Sequence, residues 1–145
     1  MGTVYDKDVV LWAQEQARLL RSGQFSQLDI EHLADEIEDV GKSEHRELAS
    51  RMTVLLAHLM KWQYQPGCRS KSWQRTIKVQ RDGLARRLEK TPSLKASIRE
   101  AEWLAEAWSD ALAIAIEETG LDAFPDDCPW TADRILEATF WPGEG

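Results

Sequence analysis

Eight residues near the middle of the chain combine cations with aromatic rings, and these are the side chains best suited to chemistry. They lie on both sides of Pro66-Gly67, and they are Lys61, Trp62, Tyr64, Arg69, Lys71, Trp73, Arg75 and Lys78. Cations pair with phosphate or carboxylate groups, and aromatic faces stack on flat groups or on cations. The sequence therefore predicts a basic aromatic corner that binds an acidic protein partner, with nucleic acid as a weaker alternative.

The opposite interpretation gives the same side chains a structural role. Trp62 and Trp73 recur on the apolar sides of their helices, which indicates burial in the core. The cations could pair with the acidic helix of the same chain, and a net charge of −7 argues against non-specific binding to nucleic acid. Both interpretations stay open at the level of the sequence.

A second group of side chains, all acidic, suggests metal chemistry. Its members are Asp35, Glu36, Asp39 and Glu47, carboxylates of the kind that hold divalent ions. Their spacing loosely resembles the acidic helices that hold magnesium in all-helical nucleotide pyrophosphatases. A site would need ligands from a facing helix, and the chain contains no Glu-x-x-His pair to supply them. A metal-dependent hydrolase of nucleotides or nucleic acid is therefore the alternative function, and solvated carboxylates are the simpler explanation.

No other arrangement of residues predicts catalysis. The chain contains no G-x-S-x-G, Walker or G-x-G-x-x-G motif. Cys68 and Cys128 lie far apart without metal-ligand spacing, which predicts reduced thiols in a cytoplasm. Enzymatic activity stays open, but the sequence favours an interaction module without a cofactor or a metal.

The charges are distributed unevenly along the chain. Residues 61–90 contain nine Lys or Arg against Asp82 and Glu89, a net charge of +7, so the remainder carries −14. The apolar stretch 52–60 is about half of what a bilayer-spanning helix needs. The N-terminus lacks the basic and apolar pattern of a signal peptide. We therefore expect a cytoplasmic protein with a basic band and no membrane partner.

Apolar periodicity predicts the elements that position these side chains. Residues at three- and four-residue steps predict four main helices near 8–22, 30–63, 70–90 and 94–119. The second is either one long helix, bent near Gly41, or two helices. A tryptophan-rich tail with a short helix follows Gly120. The fold class is therefore all-α, an antiparallel bundle in a single domain over 1–145.

The helix predicted at 94–119 is apolar on two sides. A second row of Trp103, Ala107 and Ile114 accompanies its main apolar face. A helix of this kind is either central in a bundle or shared with another subunit. We therefore expect a homo-oligomer, a dimer, that associates through this helix.

Several stretches resemble the bacterial family catalogued as domain of unknown function twenty-nine. They are LADEIEDVGKSEHREL at 33–48, LLAHLMKWQYQP at 55–66, RSKSWQRTI at 69–77 and ETGLDAFPDDCPW at 118–130. Tyr5-Asp6 near the start and Phe140-Trp141-Pro142 near the end extend the resemblance to nearly the whole chain. The resemblance implies a small helical protein common in cyanobacteria and proteobacteria. It implies no activity and no site residues, because the family is named for lacking a known function.

Overall fold

The computed structural model describes residues 4–143, and every regular element in that range is helical. The α-helices are α1 (Val4–Lys7), α2 (Val9–Arg21), α3 (Ile30–Tyr64), α4 (Lys71–Lys90), α5 (Leu94–Ile98), α6 (Ala101–Thr119) and α7 (Ala132–Leu136). Short 3-10 turns at Phe25–Gln27 and Pro66–Cys68 precede and follow α3. The all-α prediction is therefore confirmed, and α2, α3, α4 and α6 are the long helices of the described chain.

The chain divides into two compact units, Met1–Glu44 and His45–Gly145, which we call unit 1 and unit 2. α3 contributes its first turns to unit 1 and its remainder to unit 2. The single domain expected over 1–145 stays a prediction.

α3 answers the question whether 30–63 forms one helix or two. It is one continuous helix of 35 residues. The Asp29 carboxylate accepts a hydrogen bond from the His32 amide at 3.4 Å and so satisfies a donor of the first turn. The helix ends at Tyr64, because Pro66 has no amide hydrogen to continue the ladder.

A polar and aromatic network holds unit 1 together. The Trp12 Nε1 donates to Asp29 Oδ2 at 3.0 Å, and the His32 Nδ1 lies 2.6 Å from the same oxygen. The Tyr5 ring stacks on His32 with ring centroids 3.9 Å apart, and its hydroxyl donates to Glu36 at 2.6 Å. Asp29 therefore fixes α2 to the start of α3, and Tyr5 fixes α1 to the next turn.

Unit 1 leaves much apolar surface uncovered. Nine of the eleven large apolar side chains that are exposed in the described residues belong to it: Val4, Val9, Val10, Leu11, Leu20, Phe25, Ile30, Ile37 and Val40. α1 and α2 contact Asp29, which precedes α3, and the side of α3 that carries His32 and Glu36. The apolar stripe of α3 lies on a neighbouring side, and burial along it begins only at Leu48.

In unit 2, α3 and α4 run antiparallel. Glu47, early in this part of α3, lies 3.3 Å from Arg87 near the end of α4, whereas Lys61 lies 5.4 Å from the ring centre of Trp73 near its start. The apolar side chains between these contacts are fully buried: Leu48, Met52, Leu55, Leu56, Leu59, Met60, Ile77 and Leu84. The antiparallel packing expected for the bundle is present in this pair.

The predicted helix 94–119 is broken into α5 and α6. Glu100 has an extended backbone, with ψ of 129°, and interrupts the helix. Leu94 and Ile98 of α5 are buried in the same core as Trp108 and Ala111 of α6. On an unbroken helix these two sets would face directions roughly 100° apart, at about 100° per residue. The break therefore lets both sets reach the core.

We expect Leu59→Ala to destabilise the protein by about 2–5 kcal/mol, because it removes buried methyl groups and leaves a cavity. Leu59 is 0% exposed, whereas Leu20 is 47% exposed and serves as the matched control. Leu20→Ala should change the unfolding free energy by no more than about 0.5 kcal/mol. Urea unfolding followed by circular dichroism measures both, and equal effects would contradict this core assignment.

We expect two histidines to titrate on opposite sides of 6.5. The hydrogen bond to Asp29 raises the pKa of His32 above 6.5, whereas burial lowers the pKa of His58 below 6.5. Protonated His32 therefore stabilises unit 1 fully below the unfolded pKa, and this contribution is lost as pH rises through the folded pKa.

NMR titration of the Hε1 signals measures both values. The Asp29→Asn variant should lower the pKa of His32 and leave that of His58 unchanged. A wild-type midpoint for His32 at or below 6.5 would contradict the role of the network.

Candidate anion-binding cleft

One face of α4 forms a wall of an open cleft of about 720 Å³ in unit 2. We call it the α4 cleft, and its lining residues are Trp62, Lys71, Gln74, Arg75, Lys78, Arg81, Asp82, Ala138 and Trp141. Four are cations, one is a carboxylate and two are tryptophans. The cleft can therefore receive an anionic ligand that also carries an apolar part.

Three of the cations form a ladder on α4. Lys71, Arg75 and Lys78 are spaced by four and then three residues, so they lie on one side of the helix. All three are exposed, and none makes an ion pair with the described residues. The Ser70 hydroxyl accepts a hydrogen bond from the Trp73 amide at 3.2 Å and so caps the start of α4. The helix therefore begins at Lys71, which sets the position of the three cations. We call these three residues the cation ladder.

Lys71, the first cation of the ladder, opposes the local electrostatics of its helix. The N-terminus of a helix carries partial positive charge, so acidic side chains are favourable there and cations are not. The first turn of α4 contains no acidic residue and begins with Lys71. A sequence selected for helix stability alone would place carboxylates here. The positive end of the helix and the ladder together favour an anion.

Arg81 joins α4 to the C-terminal tail. Its side chain is almost fully buried, its Nε donates to the Ile135 carbonyl at 2.8 Å, and its Nη2 donates to the Phe140 carbonyl at 2.6 Å. The guanidinium also lies 5.5 Å from the ring centre of Trp141. Burial lowers the pKa of Arg81, and Glu137 partly opposes this effect. Arg81 therefore holds the tail as the second wall of the cleft.

Two tryptophans form the apolar part of the cleft. The rings of Trp62 and Trp141 are 4.8 Å apart and tilted by 48°. Arg69 donates from its Nε to the Trp62 carbonyl at 2.7 Å, and its guanidinium lies 4.9 Å from the indole ring of Trp62. The indole of Trp62 therefore contacts both Arg69 and the tail.

The structure brings four of the eight predicted corner residues together in the cleft: Trp62, Lys71, Arg75 and Lys78. The other four do not line the cleft: Lys61, Tyr64, Arg69 and Trp73. Lys61 is buried and donates to Glu118 at 2.6 Å, which lowers the pKa of that carboxyl. The Tyr64 ring packs edge-on against Phe124 at 5.4 Å. Lys61 and Tyr64 therefore have the structural role, and Trp62, although it lines the cleft, is also buried in the core at 4% exposed. Partner binding by the exposed cations of the corner stays a prediction.

Sequence reasoning missed Arg81, Asp82, Gln74 and Trp141 as lining residues. Arg81 lies three positions after Lys78, so helical spacing could have added it to the ladder. Trp141 is 60 residues beyond Arg81, and no sequence pattern connects the two. Only the folded tail shows that they share a cleft.

The four acidic residues of the metal alternative, Asp35, Glu36, Asp39 and Glu47, have separate surroundings. Asp35 and Asp39 are exposed on unit 1, and Glu36 accepts the Tyr5 hydroxyl. Glu47 lies in unit 2, where it is 3.2 Å from Arg51 and 3.3 Å from Arg87. Between residues 4 and 143, no group of three or more His, Cys, Asp or Glu side chains is arranged to hold a metal ion. The hydrolase alternative stays a prediction.

Comparison with known proteins identifies one family. The profile of the family described as "Domain of unknown function DUF29" matches residues 4–141, nearly the whole chain. This confirms the resemblance found in the sequence. No curated protein and no solved structure matches the chain. In the part of the chain that the structure describes, every helix is too short or too polar to span a bilayer. The cytoplasmic location stays a prediction.

We expect Arg81→Lys to loosen the tail, because a single ammonium cannot replace both guanidinium bonds to the Ile135 and Phe140 carbonyls. The loss should be about 1–3 kcal/mol, the usual effect of leaving a buried polar group without its partner. Hydrogen exchange should become faster in residues 135–141. Arg86 is exposed on the same helix, and Arg86→Lys should leave both quantities unchanged. Equal exchange in the two variants would contradict the proposed link.

Proposed function

We propose that this chain, which belongs to the DUF29 family, is a protein-interaction module whose α4 cleft binds an acidic segment of a partner protein. One observation carries the proposal: the cation ladder of Lys71, Arg75 and Lys78 is exposed, lacks ion-pair partners in the described residues and lines a cleft. Elsewhere in unit 2, Lys61 has a carboxylate partner, in Glu118. The ladder therefore has binding capacity that the fold does not use.

The chemistry of the lining supports a peptide segment as the ligand. Carboxylates accept hydrogen bonds from ammonium and guanidinium groups, and these charge-assisted bonds are stronger than neutral ones. The partly exposed ring of Trp141, which packs against the buried ring of Trp62, offers apolar surface beside the ladder. An acidic protein segment carries both carboxylates and apolar side chains. The net charge of −7 weakens the binding of long nucleic acids, because that binding depends on many phosphate contacts.

Neutralising the cation ladder tests this function. We expect the wild-type protein to bind a fluorescent glutamate-rich peptide, and the Lys71→Ala, Arg75→Ala, Lys78→Ala triple variant to lose at least tenfold in affinity. The basis is that three charge-assisted contacts of about 1 kcal/mol or more would be removed. Fluorescence anisotropy measures the affinity. Added salt should weaken wild-type binding, since exposed charges are screened.

A second triple variant provides the matched control. Arg86, Lys90 and Lys95 are exposed in unit 2 and do not line the α4 cleft. Changing these three to Ala removes the same charge and should leave peptide affinity unchanged. Equal losses in both variants would show non-specific attraction and would reject the cleft. Tighter binding of a single-stranded oligonucleotide than of the peptide would favour nucleic acid instead.

A further inference from the structure

α3 carries a ladder of carboxylates with the same spacing as the cation ladder. Glu31, Asp35 and Glu38 are separated by four and then three residues, as are the three cations of α4, and all three are exposed. Within the described residues, the carboxylate of Glu38 lies 3.9 Å from Lys42, and both side chains are largely exposed. Pairs of this kind contribute little, so the carboxylates can accept other partners. We call these three residues the acid ladder.

Uncovered apolar side chains accompany the acid ladder. Ile30 and Ile37 on α3 are each 70% exposed. At about 100° per residue they form a row roughly a quarter turn around the helix from Glu31 and Glu38. The α4 cleft likewise has apolar surface beside its cations, in the partly exposed ring of Trp141. An acidic helix with an apolar row is therefore the chemistry that this cleft fits.

We infer that the acidic segment received by the α4 cleft is residues 30–38 of a second copy of this chain. The inference rests on the proposed function and names its partner. The helix of the second copy can pack along α4 in either direction. In both cases each carboxylate is offset from a cation by no more than about 1.5 Å along the helix axis, which is the rise of one residue. Glu31, Asp35 and Glu38 then meet Lys71, Arg75 and Lys78 in matched order.

The contact closes into a dimer when it is used reciprocally. Each copy presents one acid ladder and one α4 cleft, so a two-fold axis satisfies both copies and leaves neither ladder unpaired. Two acid ladders would repel each other, which excludes pairing of α3 with α3 through this face. Charge complementarity therefore favours the α4 cleft, rather than a second α3, as the partner of the acid ladder.

The dimer expected from the sequence was assigned to 94–119, on the basis of a second apolar row. In the structure, Ala107 of that row is buried and Trp103 and Ile114 pack against the core of unit 2. That row therefore has partners within its own unit. The exposed apolar side chains of α3 have no such partners among the described residues of unit 1. They therefore provide the stronger reason for association.

Charge reversal with rescue tests the inference in the full-length chain. Light scattering should give twice the monomer mass for the wild type. It should give the monomer mass for the acid-ladder variant (Glu31→Lys, Asp35→Lys, Glu38→Lys) and for the cleft variant (Lys71→Glu, Arg75→Glu, Lys78→Glu). Mixing the two variants restores opposite charge at both contacts, so the mixture should return to twice the monomer mass.

The glutamate-rich peptide separates this inference from the proposed function. The acid-ladder variant should be monomeric and still bind the peptide, because its cleft is intact. A wild-type monomer that binds the peptide would overturn the second copy as partner and leave the proposed function standing. If both charge-reversal variants stay dimeric and the wild type does not bind the peptide, the second copy as partner and the proposed function are both overturned.

A neutral variant guards against a folding defect. Lysines in the first turn of α3 oppose the helix dipole and can unfold that end. The Glu31→Gln, Asp35→Asn, Glu38→Gln variant removes the charges without adding cations, and it should also have the monomer mass. Circular dichroism checks that its helix content matches the wild type. A neutral variant that keeps wild-type helix content and stays dimeric would overturn the inference.

Discussion

The buried guanidinium of Arg81 is the interaction on which the candidate site depends. It donates to two carbonyls of the tail, at Ile135 and Phe140, and lies beside the Trp141 ring. A buried charge is unfavourable unless its donors are satisfied, so the arrangement holds only while the tail stays in place. The tail therefore becomes the second wall of the α4 cleft, and the cations of α4 face a defined space.

The basic band of the sequence divides into two groups of cations with different roles. Lys61, Arg69 and Arg81 contact Glu118, the Trp62 carbonyl and the tail carbonyls, so they contribute to packing. The ladder at Lys71, Arg75 and Lys78 makes no ion pair with the described residues, and Lys71 opposes the dipole at the start of its own helix. Local rules are most often broken where a protein has another use for the residues. This contrast is the physical basis for assigning the site to the ladder.

Helical periodicity predicted the elements well, because burial in unit 2 follows the three- and four-residue spacing of the sequence. The periodic apolar positions are buried as expected: Leu48, Met52, Leu55, Leu59 and Trp62 on α3, and Ile77, Leu84 and Leu88 on α4. Periodicity could not show that Ile37 and Val40 stay exposed, since exposure depends on whether another element covers them. It also missed the break at Glu100 and the pairing of Arg81 with the tail. Both depend on tertiary packing between residues far apart in the chain.

The central claim is that the α4 cleft receives carboxylates beside its tryptophans. The most direct measurement is NMR of the tryptophan indole Nε1–H signals during titration with the glutamate-rich peptide. The signals of Trp62 and Trp141, which line the cleft, should shift in proportion to bound peptide. Those of Trp103 and Trp108, which lie in unit 2 outside the lining, should not. Bound peptide with no shift at Trp62 and Trp141 would contradict the claim.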